Sequence, residues 1–528
     1  MRPSIFLLCL TFSIAIYCSC NHSPAGAAGG NDDSGAQKDN VQDNVQKGKV
    51  LAATYCRLCH LLPDPSLLDK RSWVNDVLPG MAPRLGMISK EAHNTYDHYN
   101  EMLGKTYYPA APLLKPEEWQ HIIEYYSATA PDTLPRPVRS LSIIPELSQF
   151  SIQTPAVTFT PPASCMVRID TLGGRHELLV SDAKTSRLLR FDQSLRMIDS
   201  MKSNGPIVDI TLEKNRMLAC NIGYLNPTDI KLGSAEFITA APAAGRKTKM
   251  EANKPFFEKL ARPVQITPAD LNQDHRTDYL ICEFGNLAGS LSWMENTGDG
   301  KFTKHVLRDM PGAIKAYVQD LNHDGLPDII ALFAQGDEGI FLYTNKGHGQ
   351  FEERTLLRFP PVYGSTYFEL ADFNHDGFPD ILYTSGDNAD YSPVLKPYHG
   401  VYIYLNDGKN NFTQRTFIPM DGCFKAMARD FDGDGDLDIA AISFFADYKH
   451  HPEQGFMYLE NKGDLQFQPY TFPEAASGRW ITMDAGDIYG RGKEDIVLGN
   501  LDFSSLQLGA TRDPIKGKPF IVLKNVSR

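Results

Sequence analysis

Long apolar runs are missing after the first twenty residues, so no later segment is long enough to span a bilayer as a helix. Positive charge is in deficit. The chain has 52 Lys and Arg against 64 Asp and Glu, a formal net charge of −12, which argues against nucleic acid as a partner. Cysteine is scarce. Of 9 in 528 residues, Cys9, Cys18 and Cys20 fall in the N-terminal segment. Cys165, Cys220, Cys282 and Cys423 are scattered, so buried free thiols are expected rather than a disulfide framework. There is one C-x-x-C, no second Cys/His pair nearby to complete a zinc site, and no adjacent Cys-Cys pair. His305, His348 and His399 have no triad spacing around them. They read as turn or surface residues, and the chain reads as a carrier or binder rather than a catalyst.

The N-terminus sets the compartment. Arg2 precedes the apolar stretch Ile5 to Tyr17, which is too short to span and reads as a signal peptide over residues 1–20. Tyr17-Cys18-Ser19-Cys20 then meets a polar run. This resembles a bacterial lipoprotein signal, and the resemblance implies Cys20 as the lipidated residue. The mature chain is expected to be exported, in the periplasm or at the outer membrane or cell surface, with a lipid as its membrane tether. Residues 21–44 are rich in Gly, Ala, Ser, Asn and Asp and read as a flexible linker.

Cys56-Arg57-Leu58-Cys59-His60 is the attachment pattern of a c-type haem. Each thiol can form a thioether, and the adjacent imidazole is placed as the proximal iron ligand. A small all-α domain over residues 45–130 is expected around it. Pro116, Glu117 and Glu118 open a helix, and Trp119, Ile122, Ile123 and Tyr126 follow at helical spacing. A helix delivering the cysteines and a C-terminal helix ending in Tyr125-Tyr126 resemble the crossed terminal helices of class I cytochromes c. That resemblance implies a methionine as sixth ligand. Met81, in Trp73-Val-Asn-Asp-Val-Leu-Pro-Gly-Met81, is preferred over Met87 and Met102. His93 and His98 leave bis-histidine ligation open. Pro131, Pro135, Pro137 and Pro145 mark residues 131–146 as a semi-rigid linker.

The remainder, 147–528, is repetitive. Four loops share one pattern of acidic and amide residues. They are Asp270, Asn272, Asp274, Asp278; Asp320, Asn322, Asp324, Asp328; Asp372, Asn374, Asp376, Asp380; and Asp430, Asp432, Asp434, Asp438. A degenerate fifth runs from Asp487 to Asp495. Around each loop lie four strand-like runs, the content of one propeller blade. Two upstream stretches, Met166 to Val180 and Ile207 to Ile222, read as blades without the acidic loop, which predicts seven blades. Phe150 to Phe159 is expected to supply the outer strand of the closing blade, because closure removes sheet edges. The loops resemble the FG-GAP/VCBS repeats of integrin α-chains and bacterial surface proteins.

Oxygen-rich loops of this kind suit Ca²⁺, with ligands at positions 1, 3, 5 and 9, a carbonyl at 7, and glycine at 6 for the turn. Position 12 is Ile281, Ala331, Tyr383 or Ala441 rather than Glu, which excludes an EF-hand. Three or four calcium ions are expected. The first loop is in doubt because His275 replaces the glycine, and none is expected beside Arg491. The leading expectation is an electron-transfer protein with one haem c and a propeller that docks a redox partner or surface ligand of unknown identity. The alternatives are a cytochrome-fused propeller dehydrogenase and a surface binding or adhesion module.

Overall fold

A computed structural model of the protein describes residues 34–89, 93–104, 106–137, 139, 141–241, 249–389, 392–502 and 514–527. The signal segment 1–20, Cys20 and the start of the expected linker lie outside the described residues. The linker reading is corrected at its end, because helix α1 already spans Ser34–Tyr55.

Seven sheets form a seven-bladed propeller. Six blades are built from consecutive strands, with an additional strand in the second. The seventh is closed from both ends of the propeller chain. Trp480–Gly486, Asp495–Asn500 and Phe520–Asn525 are joined by Phe150–Gln153 as outermost strand, in antiparallel register from Phe150 opposite Asn525 to Gln153 opposite Val522. This closure ties the start of the propeller to its end and leaves no edge between first and last blades.

The core sits between blades. Seven hydrophobic clusters each join two consecutive blades. One holds Leu280, Trp293, Ile329 and Phe341 of blades three and four, and another Val180, Phe191, Val497 and Phe520 of blades one and seven. The second strand of a blade is covered on both faces. Asp328–Phe333 and Asp438–Ser443 are accordingly buried at every residue, which is why they read as unbroken apolar runs.

Helices α1, α2 (His93–Leu103) and α3 (Pro116–Thr129), with short helical turns between them, make a separate unit around Leu68, Trp73, Ile122 and Tyr126. The α1–α3 crossing depends on Gly48. A Cβ there would lie 1.9 Å from the His121 carbonyl oxygen and 2.8 Å from Tyr125 Cβ. This unit docks on the propeller. Val362, Val394 and Tyr398 pack into its cluster, and the Tyr398 hydroxyl donates to the Leu67 carbonyl at 2.9 Å.

The segment expected to be a linker is seated rather than free. Ile144 pairs with Tyr470 of blade six, and Arg139 donates to Gln454 Oε1 at 2.7 Å. Among the described residues no helix is long and apolar enough to cross a membrane.

Blades four and five are also joined by Glu338, which is 3% exposed. It accepts from the Ser365 backbone N–H at 2.9 Å and the Ser365 hydroxyl at 2.6 Å. Burial pushes its carboxyl up from 4.5 to about 8, against the opposing pull of the Ser365 bonds. The folded state therefore holds a proton that the unfolded state releases between these values. Stability from this group is full below about pH 4.5 and is lost as pH rises towards 8. Glu338→Gln, which is neutral throughout, is expected to flatten the fall in unfolding free energy between about pH 5 and pH 8 by a few kcal/mol, order of magnitude. Denaturant titrations of both proteins across that range check this, and parallel profiles would refute it.

Candidate functional site

The acidic loops join the first and second strands of blades three to six. Each strand crosses its blade once, so these loops share one face of the propeller. The turns between second and third strands, including 334–338, 386–389 and 392–399, share the other. Val394 and Tyr398 lie in those turns, so the helical unit docks on the face opposite the acidic loops.

Within the loops, position 1 gathers backbone donors. Asp320 accepts from Asp324 N–H at 3.2 Å and Gly325 N–H at 2.9 Å, and Asp372 repeats this with Asp376 and Gly377 at the same distances. Gly325, Gly377 and Gly435 take φ of 84°, 86° and 99°. Position 4 is left-handed as well. It is filled by His323 and His375 at 59° and 56° and by Gly433 at 82°, a requirement the sequence pattern did not reveal. In the first loop His275 adopts 63° at position 6 without glycine, and the Arg276 guanidinium donates to Asp274 at 2.5 Å.

Position 9 is different in kind. Asp278, Asp328, Asp380 and Asp438 are at most 1% exposed. Both oxygens of Asp328 are engaged, by Leu321 N–H at 3.2 Å and Asn345 N–H at 2.8 Å, and Asp380 and Asp438 are held alike. This carboxylate pins the loop to the third strand and keeps lone pairs for another partner. Asn345, Asn406 and Asn461 complete the device. Each side-chain oxygen accepts the N–H of the glycine two residues on. The repeated Asn-x-Gly is the sequence signal for these residues, which motif reading of the acidic loops alone missed.

Blade six brings three carboxylates together. Oxygens of Asp430, Asp432 and Asp434 lie within 4.8 Å of one another, and Asp438 is not in that group. In blades four and five an amide stands at position 3. Asn322 donates to Asp324 at 2.9 Å and Asn374 to Asp376 at 2.8 Å, so two negative groups there have a donor between them. In blade six Asp432 takes that place. Burial, then Asp434, raises its carboxyl. Asp438 is pushed up to about 7 by burial, with the Tyr458 hydroxyl bond at 2.6 Å opposing and Asp432 adding. In the degenerate loop the Arg491 guanidinium lies 2.9 Å from Asp495 Oδ1.

On the opposite side, Cys56 follows α1 and is half-buried, Cys59 is exposed, and both are free thiols, as are Cys165, Cys220, Cys282 and Cys423. Burial, then Cys59, pushes the Cys56 thiol up to about 11. A redox-active dithiol needs the reverse shift. His60 Nδ1 is 3.0 Å from the Leu61 carbonyl oxygen. With Nδ1–H as donor, Nε2 carries the free lone pair. Burial lowers the His60 pKa, the Leu61 bond and Asp337 oppose, and Arg358 adds to the lowering. Asp337 is clamped by Arg308 of blade three and Arg358 of blade four, each at 2.7 Å, so a charged rim shared by the two blades adjoins His60. Met87 and Cys56 both pack on the helical cluster, Met81 is half-buried at the end of a short helix, and Met102 is 52% exposed.

One of the isolated histidines is not a surface residue. His399 is 1% exposed. His305 keeps a 41% exposed side chain on an outer strand, where it stacks on Trp293 with ring centroids 4.5 Å apart and pairs with Glu295 at 2.7 Å. Propeller packing, which single-sequence spacing does not register, covers His399.

The fold and loops define a seven-bladed propeller with acidic turns on one face. Residues 270–331 and 320–383 match the FG-GAP-like repeat family, so the propeller carries FG-GAP-like repeats. The chain is 29% identical over 148 residues to integrin alpha-4 of Xenopus laevis, covering 24% of this chain and 14% of that protein. It is 32% identical over 149 residues to integrin alpha-PS3 of Drosophila melanogaster, covering 23% and 12%. The chain thus spans well under two thirds of these relatives. Among solved structures, virginiamycin B lyase from Staphylococcus aureus aligns over 71% of this chain and 99% of its own, at 11% identity and a TM-score of 0.43. Sqt1 of Saccharomyces cerevisiae aligns over 71% and 99%, at 8% identity and 0.43.

Proposed function

We propose that the protein is an exported, lipid-anchored electron carrier whose helical unit bears one covalent haem c, and whose propeller is a calcium-stabilised docking platform for a redox partner or surface ligand. The observation that carries the haem reading is the donor set at the end of α1. Two free thiols three residues apart precede an imidazole whose Nδ1 is committed to a carbonyl, which leaves Nε2 for a metal. Gly48, which lets α1 and α3 cross in contact, supports the same reading. When bound, the haem would supply reversible one-electron transfer at its iron.

The chain's own residues would do the rest. Cys56 and Cys59 would hold the group, and the Leu61 carbonyl would fix the tautomer and orientation of His60. Asp337, Arg308 and Arg358 would set the charge beside it. Met81 is the proposed sixth ligand, with Met87 as the alternative. For calcium we propose the loops of blades four, five and six, with positions 1, 3 and 5 as principal ligands, and the loop of blade three as a fourth and weaker site. Likeness to integrin α-chains supports a place outside the cytoplasm.

The axial assignment is tested by absorption spectra of protein matured with a periplasmic haem-attachment system. Met81→Ala is expected to abolish the weak long-wavelength band of thioether ligation while covalent haem is retained. Loss of that band in Met87→Ala instead would reassign the ligand.

A further inference from the structure

The propeller's central channel gathers cationic side chains that take no part in the proposed haem unit or the acidic loops. All seven inner strands begin with the same register shift against their neighbours, among them Ala313–Gln319, Ser365–Ala371 and Cys423–Arg429 on consecutive blades. The residue just past that shift is Lys315, Tyr367 and Lys425 respectively. The three therefore stand at one level of the channel on blades four, five and six. That level lies at the starts of the inner strands, away from the acidic loops and on the face where the helical unit docks.

Both ammonium groups approach the Tyr367 ring. Lys425 Nζ is 4.8 Å and Lys315 Nζ 5.8 Å from its centroid, with Lys315 Nζ also 5.0 Å from the Tyr317 centroid. The channel's carboxylates are spoken for. Arg168 takes Asp209 at 3.2 Å and Asp484 at 3.9 Å, and Arg429 takes Glu369 at 2.7 Å. Among the described residues no ion pair joins Lys315 or Lys425 to a carboxylate. Lys425 donates to the Met483 carbonyl at 2.8 Å, one acceptor for three N–H groups.

Burial pulls Lys425 down to about 8; Asp484 and Glu369 oppose this, while Lys315 and Arg168 add to it. Lys315 is lowered by burial and Arg168, against Asp209, Cys282 and Glu369. Two amines of like charge sharing one half-buried space is an arrangement that an incoming anion relieves.

We propose that Lys315, Tyr367 and Lys425 form a binding site for a small oxyanion-bearing molecule, a carboxylate or a phosphate-type group, that enters the channel from the face carrying the helical unit. Salt bridges to the two amines would hold its charge, and the Tyr367 ring would lie beside its carbon skeleton. The site stands independently of the haem reading.

The test uses the full chain with calcium and two probes, succinate and methylphosphonate, against chloride at equal ionic strength. Calorimetry near pH 8 in two buffers of different ionisation heat is expected to show binding coupled to uptake of up to about half a proton, as the Lys425 amine becomes fully charged. Lys425→Met and Lys315→Met should each weaken binding at least tenfold, while the exposed Lys346→Met should not. Because each channel variant removes a poorly paired charge, both are expected to fold with an unchanged or raised Tm and to lose the rise in Tm that the probe gives the wild type. Binding of succinate alone assigns a carboxylate ligand, and binding of methylphosphonate alone a phosphate-type one. Failure of both probes to bind at tens of millimolar, or wild-type affinity in both channel variants, overturns the proposal.

Discussion

Chelating calcium is expected to lower the Tm of the propeller by roughly 10 °C or more, and replacing Asp434 by Asn to remove about a third of that dependence. The first figure follows from mass action. An ion that binds only the folded state at a hundred times its Kd contributes about 2.7 kcal/mol, so three independent sites contribute about 8 kcal/mol. For a large domain each kcal/mol corresponds to some 2 °C, and often less. Electrostatics sets the order of the sites. In blade six the oxygens of Asp430, Asp432 and Asp434 converge with backbone donors alone and no side-chain amide among them, whereas Asn322 and Asn374 place an amide beside Asp324 and Asp376. Two carboxylates about 5 Å apart repel by about 3 kcal/mol at an effective dielectric of 20. Blade six should therefore bind most tightly and suffer most from chelation. Asp487→Asn is the control, because Arg491 already supplies a cation to that loop. Calorimetric scans with and without chelator, and direct calcium counting on Asp434→Asn, make the measurement. A Tm indifferent to chelator would mean that these loops are hydrogen-bonded Asx turns and nothing more.

Much of this architecture was legible because one physical pattern recurs. A second strand covered on both faces must be apolar throughout, and an acidic loop before it marks where a blade begins. Ile329 to Phe333 after Asp328 is an instance, and seven blades follow from counting four such units, the degenerate fifth, and the two upstream stretches that keep the strands without the loop. The closing strand was legible for a related reason, since Phe150 has to find an edge and the last blade has one. Features held by partners distant in sequence were not legible. Nothing around His399 says that neighbouring elements cover it, and nothing in the prolines of residues 131–146 says that Ile144 will pair with Tyr470.

The left-handed backbone at His323 and His375 was hidden for a different reason. Histidine tolerates that region without advertising it as glycine does. The channel site was hidden because Lys315, Tyr367 and Lys425 are more than fifty residues apart from one to the next. Only the common register shift puts them at one level.

Replacing both Cys56 and Cys59 by Ala is expected to abolish covalent haem altogether, the largest single change anticipated for this chain. Wild-type protein matured with haem-attachment machinery should carry one haem per chain that survives acid–organic extraction, and the double variant none. His60→Ala should behave otherwise. Its thiols are intact, so covalent haem is retained at reduced yield, but the iron loses its proximal imidazole and the reduced spectrum loses its sharp low-spin form. The split between the two variants separates attachment from ligation, which a single knockout would merge. The propeller provides the control for folding. Its blade-to-blade clusters contain no residue of the helical unit, whereas the helical cluster borrows only Val362, Val394 and Tyr398. Calcium-dependent melting should therefore persist in both variants. If the wild type acquires no covalent haem under those conditions, the electron-carrier reading fails while the propeller and the separate proposals for its acidic loops and channel stand. If haem is bound but leaves on extraction from wild type and double variant alike, the cysteines do not hold it. His60 would then be the residue on which any remaining haem function rests.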